Sequence, residues 1–151
     1  MSNADFQSHG VTRAALLPNS GSAAVDGASL DTVGWRWVKF SLQLGAVAAA
    51  GLLKVQQSND EVTWTDIEDN ISTPGTTVKG EIDIRTTDAA GIVAVNVDSS
   101  QTARYLRMRV EPGGLTEYGG QAVLYGTADA RFYITDADRR SVTVLGHNPI
   151  A

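Results

Sequence analysis

Cysteine is absent from this chain of 151 residues. Its absence excludes a disulfide framework, a thiolate metal site and a cysteine nucleophile. Histidine is nearly absent as well: His9 and His147 lie near the chain ends, where we interpret both as surface side chains. The sequence contains no nucleophile elbow, phosphate loop or dinucleotide-binding glycine fingerprint. It therefore predicts a protein that is not an enzyme, with no catalytic residue, cofactor or metal.

A long apolar run is also missing. The longest stretch of low polarity, Leu42 to Leu53, contains Gln43 and two glycines and is too short to span a bilayer. The opening residues, MSNADFQSHG, lack the basic stretch and the apolar run of a secretory signal. These features favour a protein that is made in the cytoplasm and has no membrane partner, and a mature secreted form would have the same features.

Basic charge is scarce. The formal net charge is −5 and the sequence pI is about 4.8. Residues 61–100 hold two basic and eight acidic side chains, a local balance of −6. A protein that coats nucleic acid usually has a basic face and a high pI. Direct binding to nucleic acid is therefore disfavoured.

The residues that are plentiful are those typical of strands and turns. The chain has 15 glycines, and Thr, Val, Ser, Asp and Asn are prominent. Strand candidates follow one another at short intervals without an amphipathic helix between them, which indicates antiparallel pairing. We predict an all-β fold, an antiparallel β-sandwich or jelly roll of about 8–9 strands. The predicted organisation is a flexible N-terminal arm (1–10), a β-sandwich domain (11–134) and a C-terminal arm or edge strand (135–151).

The longest strand candidate is VGWRWVKFSLQL, residues 33–44. Side chains of a strand alternate between its two faces. Val38, Phe40, Leu42 and Leu44 therefore share one face, which we predict to be the core. The same alternation in the other strand candidates predicts a buried set that comprises Phe40, Leu42, Val55, Ile84, Val95, Leu106 and Met108.

Two tryptophans of this strand fall on its polar face. Either a bulge or a second buried layer accommodates them, or they form an exposed binding surface, since Trp is enriched at interface hot spots. In RYLRMRV, alternation places one tyrosine and two arginines outward, and arginine is enriched at interface centres. The arginines could instead pair with acidic residues on a neighbouring strand. The predicted protein interface comprises Trp35, Trp37, Tyr105, Arg107 and Arg109.

An acidic segment follows the third tryptophan. Calcium binds clustered carboxylates and carbonyls, and Asp66, Glu68 and Asp69 are close together in the sequence. Their spacing lacks the EF-hand pattern of ligands and glycine, so we interpret the segment as a solvated acidic loop. Trp64 lies beside a turn in a predicted hairpin, and we expect it in the core.

Two segments resemble elements of known β-sandwich proteins. KVQQSNDEVTWTDI, residues 54–67, is similar to an element made of a strand, a polar turn, a tryptophan and a second strand. ARYLRMRVEPGG, residues 103–114, is similar to the strand that follows it in such modules. The pair resembles discoidin-like carbohydrate- or lipid-binding domains, and also small structural proteins of tailed bacteriophages. The resemblance spans Lys54 to Tyr125, about half of the chain.

We favour the phage resemblance, because a secreted discoidin-like domain usually has a signal peptide and often cysteines. It implies a capsid decoration, or cement, protein that binds the major capsid protein on the virion surface, commonly as a homotrimer. Tail-tube, head-completion and fibre-associated roles fit the sequence nearly as well. The alternative class is a carbohydrate-binding module that stacks sugar rings on Trp35, Trp37 or Trp64.

Overall fold

A computed structural model of the chain describes residues 10–67, 81–127 and 142–148. The described residues form strands and two short 3₁₀ turns, Thr86–Asp88 and Ser99–Gln101. None of their helices is long and apolar enough to cross a membrane. The strands are β1 (Val11–Gly21), β2 (Val25–Asp26), β3 (Leu30–Asp31), β4 (Trp35–Val47), β5 (Gly51–Ser58), β6 (Thr65–Asp66), β7 (Glu81–Ile84), β8 (Ile92–Asp98), β9 (Tyr105–Glu111), β10 (Thr116–Thr127) and β11 (Val142–Asn148).

These strands form two antiparallel sheets, and the predicted all-β sandwich is confirmed. Sheet A has five strands in the order β1-β10-β4-β8-β11. Sheet B has six, with β2-β9-β5-β6 in a row, β3 also pairing with β9 and β7 also pairing with β5. Every strand pair runs antiparallel. The count exceeds the predicted 8–9 because three of the strands, β2, β3 and β6, have two residues each.

The core lies between the inner faces of the two sheets. In β4, Val38, Phe40, Leu42 and Leu44 are buried while the residues between them are partly or fully exposed, as the alternation predicts. Phe40 lies opposite Val95 of β8, so the aromatic ring packs among aliphatic neighbours. All seven residues of the predicted buried set are in the core: Phe40, Leu42, Val55, Ile84, Val95, Leu106 and Met108.

Strand β1 is an edge of sheet A and is irregular. Its pairing with β10 shifts register between Ala14 and Leu16 and again between Leu16 and Asn19. Pro18 falls in the second irregular stretch, as expected for a residue that cannot donate to a ladder. Bulges and proline at an edge oppose pairing with a further strand.

A close approach ties this edge of sheet A to sheet B. The backbone N–H of Gly27 donates to the carbonyl of Met108 at 2.7 Å, and that of Ala28 donates to the carbonyl of Ala15 at 2.9 Å. A Cβ at residue 27 would lie 2.3 Å from the Ala15 oxygen. Only glycine fits this position without a shift of the backbone.

Some predicted boundaries differ from the structure. Strand β4 continues to Val47, three residues beyond the end of the predicted strand candidate at Leu44. Residues 142–148 pair with β8 as strand β11. The predicted N-terminal arm up to residue 9 and residues 68–80, 128–141 and 149–151 lie outside the described residues.

Candidate binding surfaces

The outer face of sheet B carries a network of charged side chains. Antiparallel register places Arg109 of β9 opposite Lys54 of β5 on one side and Asp26 of β2 on the other. An Arg109 Nη1 atom lies 2.6 Å from Asp26 Oδ1, and its Nε lies 3.5 Å from Glu111 Oε1. Opposite charges on adjacent strands of one face attract each other. We call this surface the charged face.

Arg107 belongs to the same network. Its Nε donates to Gln56 Oε1 at 2.8 Å, and its Nη2 lies 3.4 Å from Asp26 Oδ2. The Trp64 ring lies over its guanidinium, with 4.3 Å between the ring centroid and the central carbon. Planar guanidinium groups form this kind of stacked and hydrogen-bonded contact readily. Within the fold, Arg107 therefore has three partners on three different strands or loops.

Trp64 is not in the core, so the expectation for it was wrong. Its ring is half-buried on the charged face, and its Nε1 donates to the backbone carbonyl of Glu61 at 3.2 Å. Ile67, directly after β6, is the residue of this segment that enters the core. Strand alternation then places Asp66 and Trp64 on the outer face.

Lys54 is the other centre of the charged face. Its Nζ lies 2.9 Å from a carboxylate oxygen of Glu111 and 3.3 Å from oxygens of Asp66 and Glu81. The hydrogen bond to Glu111 raises the pKa of Lys54 above its usual range; partial burial opposes the rise, and bonds to Glu81 and Asp66 support it. One ammonium group thus neutralises carboxylates from three other strands.

The candidate calcium ligands are divided by the structure. Asp66 accepts a hydrogen bond from Gln56 Nε2 at 2.8 Å and pairs with Lys54. Glu68 and Asp69 lie outside the described residues. Within the ranges that the structure describes, no group of three or more His, Asp or Glu side chains is placed to hold a metal ion.

Asp60 stabilises the turn between β5 and β6. Asp60 Oδ1 accepts hydrogen bonds from the backbone N–H groups of Thr63 and Val62 and from the Ser58 hydroxyl, at 2.8 to 2.9 Å. These bonds lower the pKa of Asp60 to about 2. The carboxylate acts as a local cap for the turn, a role that Asp commonly takes.

The two predicted interface tryptophans of β4 lie in different surroundings. Trp35 is partly buried and packs against the hydrophobic core. Trp37 faces outward on sheet A and stacks on Tyr125 of β10, with ring centroids 6.5 Å apart and planes 18° apart. The register of β4 shows no bulge at either residue. The Tyr125 hydroxyl in turn donates to Asn96 Oδ1 at 2.8 Å.

The predicted interface residues do not form one patch. Tyr105, Arg107 and Arg109 lie on the outward side of β9 in sheet B, as alternation predicts, and each is partly exposed. Trp37 lies on the outer face of the opposite sheet. Within the fold, Arg107 and Arg109 both pair with Asp26 on the neighbouring strand β2, as the second interpretation of these arginines predicts.

Sequence reasoning missed a buried ion pair. Arg36 of β4 donates from Nε and Nη2 to the two carboxylate oxygens of Asp98, at 2.6 and 2.7 Å. Both side chains are almost fully enclosed. The Ser100 backbone and hydroxyl donate to the same carboxylate, and the Ser99 hydroxyl contacts the carbonyls of Trp35 and Arg36. An arginine at an inward position of a strand, as alternation places Arg36, was the available signal.

No protein-family model and no curated protein matches the sequence. Among solved structures, the chain is similar to the SPBc2 prophage-derived protein YomS, with a TM-score of 0.49 and 6% sequence identity over 78% of this chain and 95% of that one. It is also similar to PirA, with a TM-score of 0.39 and 13% identity over 78% of this chain and 92% of that one. At these identities, function has to be inferred from the residues of the chain itself.

Proposed function

We propose that the protein is a non-enzymatic structural protein of a tailed-phage virion. In this proposal it decorates the capsid exterior as a homotrimer and stabilises the shell by binding the major capsid protein. The two segments that resemble phage structural proteins supply strands β5, β6 and β9, and β5 and β9 pair at the centre of sheet B. The resemblance therefore falls on one continuous structural unit.

The proposal that the protein is not an enzyme is supported by the contacts of the charged side chains in this unit. Lys54, Arg107 and Arg109 are each held by carboxylates or an amide of neighbouring strands. Catalysis needs acid, base or nucleophilic groups gathered where a substrate reaches them. Here the charges hold strands together, which suits a rigid module whose work is binding.

The mechanism is physical. A capsid under internal pressure fails where subunits separate, and a cement protein that spans a seam adds buried area there. A standard interface buries on the order of 1,600 Å² in total. Many symmetric copies convert a modest local affinity into high avidity. The outward-facing Tyr105, Arg107 and Arg109 and the β4 tryptophans remain the predicted contacts with the partner.

Mass spectrometry of virions purified from a phage that encodes this chain tests the proposal. A decoration protein is expected at a copy number comparable to that of the major capsid protein. A handful of copies per particle would instead favour a tail, head-completion or fibre-associated role. Absence from purified virions would contradict every virion role.

A binding assay with particles that lack the protein tests the capsid contact directly. The purified chain is expected to co-sediment with such particles and to raise the temperature at which they rupture. Co-sedimentation with isolated tails, and none with heads, would contradict capsid decoration while leaving a virion role in place.

A further inference from the structure

The two outer faces of the sandwich differ in how much charge they carry. The strands of the charged face hold six outward carboxylates and three outward basic side chains. On the outer face of sheet A, the charged side chains that the structure describes are Arg13, Lys39 and Glu117. Interface centres are depleted of charged residues, because each buried charge has to be desolvated. A protein partner therefore covers sheet A with a smaller desolvation penalty.

Apolar side chains lie toward both ends of the outer face of sheet A. At one end Trp37 stacks on Tyr125, and both rings are partly exposed. At the other end a shallow groove with a mainly apolar lining is bordered by Leu17 and Ile92. Leu17 is 76% exposed. Exposed aromatic and aliphatic side chains grouped on one face are typical of the residues that anchor a protein partner.

The area of this face matches that of a protein interface. The five strands of sheet A are 7 to 13 residues long. With about 3.3 Å per residue and about 4.8 Å per strand, the face covers roughly 800 Å². One partner of a standard protein interface contributes about 800 Å². Gly119, Ser41 and Ala94 form a low floor on neighbouring strands, so a partner can approach closely.

The charges of this face select an acidic partner. Arg13, which lines the groove, and Lys39 form no ion pair with any residue that the structure describes. Glu117 lies beside Gly45, toward the other end of β4 from Lys39. Positive charge is thus in excess on this face, and negative charge is in excess on the charged face. Because complementary potentials orient two proteins, an acidic partner is attracted to sheet A and repelled by the charged face.

We propose that the outer face of sheet A is the surface that docks on the capsid, and that its partner is an acidic patch of the major capsid protein. The inference rests on the proposed function and narrows the predicted contacts to one face. Trp37 is an apolar anchor of the contact, and Arg13 and Lys39 pair with carboxylates of the partner. The charged face stays exposed to solvent, where Arg107 and Arg109 serve the fold.

Amine labelling of the unaltered chain tests which face docks. The chain is treated with acetic anhydride, free and bound to phage heads that lack it, and lysine acetylation is read by mass spectrometry. We expect Lys39 to be acetylated in the free chain and to lose most of this acetylation on the heads. Lys54, on the charged face, is the internal control and should react equally in both states. Equal acetylation of Lys39 in both states, or protection of Lys54 alone, would overturn the proposal.

Surface variants test the same contact by co-sedimentation with these heads. Arg13→Glu with Lys39→Glu is expected to weaken association at least about tenfold, because like charges then meet. Ser41→Tyr places a ring on the floor and is expected to abolish association. Asp83→Tyr, which adds the same ring to an exposed position of the charged face, is the matched control and should bind normally. An unchanged thermal midpoint shows that each variant is folded, and full binding by both sheet A variants would overturn the proposal.

The outcomes separate this inference from the proposed function. If replacing Arg107 and Arg109 by Ser abolishes association while the sheet A variants bind, the charged face is the contact; the inference is then wrong and the capsid role stands. If the wild-type chain binds no heads, both are wrong. Light scattering distinguishes a contact between copies: sheet A variants that lose a trimer mass together with association would show that this face joins copies of the chain, and would overturn the capsid assignment.

Discussion

Arg36 and Asp98 join β4 to the end of β8 inside the sandwich. The bidentate pair is enclosed, and Ser100 satisfies the remaining capacity of the carboxylate. Burial makes such a pair costly to break, because the partner that remains keeps an uncompensated charge. The pair also sets the position of the 3₁₀ turn that begins at Ser99, since Asp98 accepts from the Ser100 backbone.

Replacing one partner of this pair should therefore strongly lower the stability of the fold. Asp98→Ala is expected to lower the free energy of unfolding by about 3–5 kcal/mol, measured by chemical denaturation. Arg36→Met with Asp98→Leu, which removes both charges, is the control and should cost much less. A loss below about 1 kcal/mol for Asp98→Ala would show that water reaches the Arg36 guanidinium.

Tyr118, unlike the Arg36–Asp98 pair, has a buried polar group that is not hydrogen-bonded. Its ring is 4% exposed, and its hydroxyl is buried without a hydrogen-bond partner in the described structure. A buried hydroxyl without a partner carries a desolvation cost of about 1–3 kcal/mol. Tyr118→Phe is thus expected to raise the free energy of unfolding by about 1 kcal/mol in urea denaturation. A decrease would mean that a buried water satisfies the hydroxyl.

Asp60 makes the stability of the protein depend on pH. Its pKa is lowered from 3.8 to about 2 in the folded chain by bonds from Thr63, Val62 and Ser58. A depressed carboxyl pKa contributes stability that is present above the unfolded value and is lost as pH falls through the folded value. The thermal midpoint should therefore drop between about pH 4 and pH 2. Asp60→Asn should show a shallower drop over that window, and an identical pH profile would contradict the capping role.

At the scale of elements, the two sheets stabilise themselves differently. Sheet A has long strands whose inner residues are mostly apolar, with the Arg36–Asp98 pair as an exception, and β4 lies at its centre. Sheet B contains four strands of two to four residues, which have few backbone partners each. Its charged face supplies cross-strand contacts that the short strands lack, since Asp26 of β2 and Asp66 of β6 each meet a basic residue of a longer strand.

This difference predicts the outcome of a substitution in β9. Replacing Arg107 and Arg109 together by Ser removes the partners of Asp26 and the contact with Trp64. We expect the free energy of unfolding to fall by about 1–2 kcal/mol, because these partly buried contacts exceed an exposed pair. Arg85→Ser, whose exposed side chain pairs with Asp88, is the control and should cost less than about 0.5 kcal/mol.

The same double variant also bears on assembly. If the two arginines serve only the fold, the folded fraction of the double variant should still associate with particles. Unchanged stability together with lost association would instead support their predicted place in the protein interface.

At the scale of the whole molecule, the proposed decoration role requires self-association. One chain has a mass of 16.0 kDa, so three chains give 48 kDa. Light scattering on the chromatographed protein is expected to report the trimer mass, with the monomer mass appearing on dilution if the contact is weak. A monomer at all concentrations would contradict a preformed trimer and leave trimerisation on the capsid as the form to test.

Much of the inner architecture was predictable from local pattern. Phe40, Leu42 and Val95 are buried because strand alternation assigns each to an apolar face, whichever strands become neighbours. The outward direction of Arg107 and Arg109 follows from the same rule. Trp64 was misassigned because its size was given more weight than its position: alternation from Ile67, which enters the core, places Trp64 outward.

What the sequence determined by itself is therefore the strand character, the two faces of each strand and the absence of cysteine chemistry. Only the tertiary structure decided which polar groups meet. Asp26 and Arg109 are 83 positions apart and become partners because β2 and β9 are neighbours in sheet B. The same strand order leaves Lys39 without a carboxylate among the described residues. Alternation is a property of one strand, whereas a charge pair or an open polar face depends on the neighbours that topology brings to it.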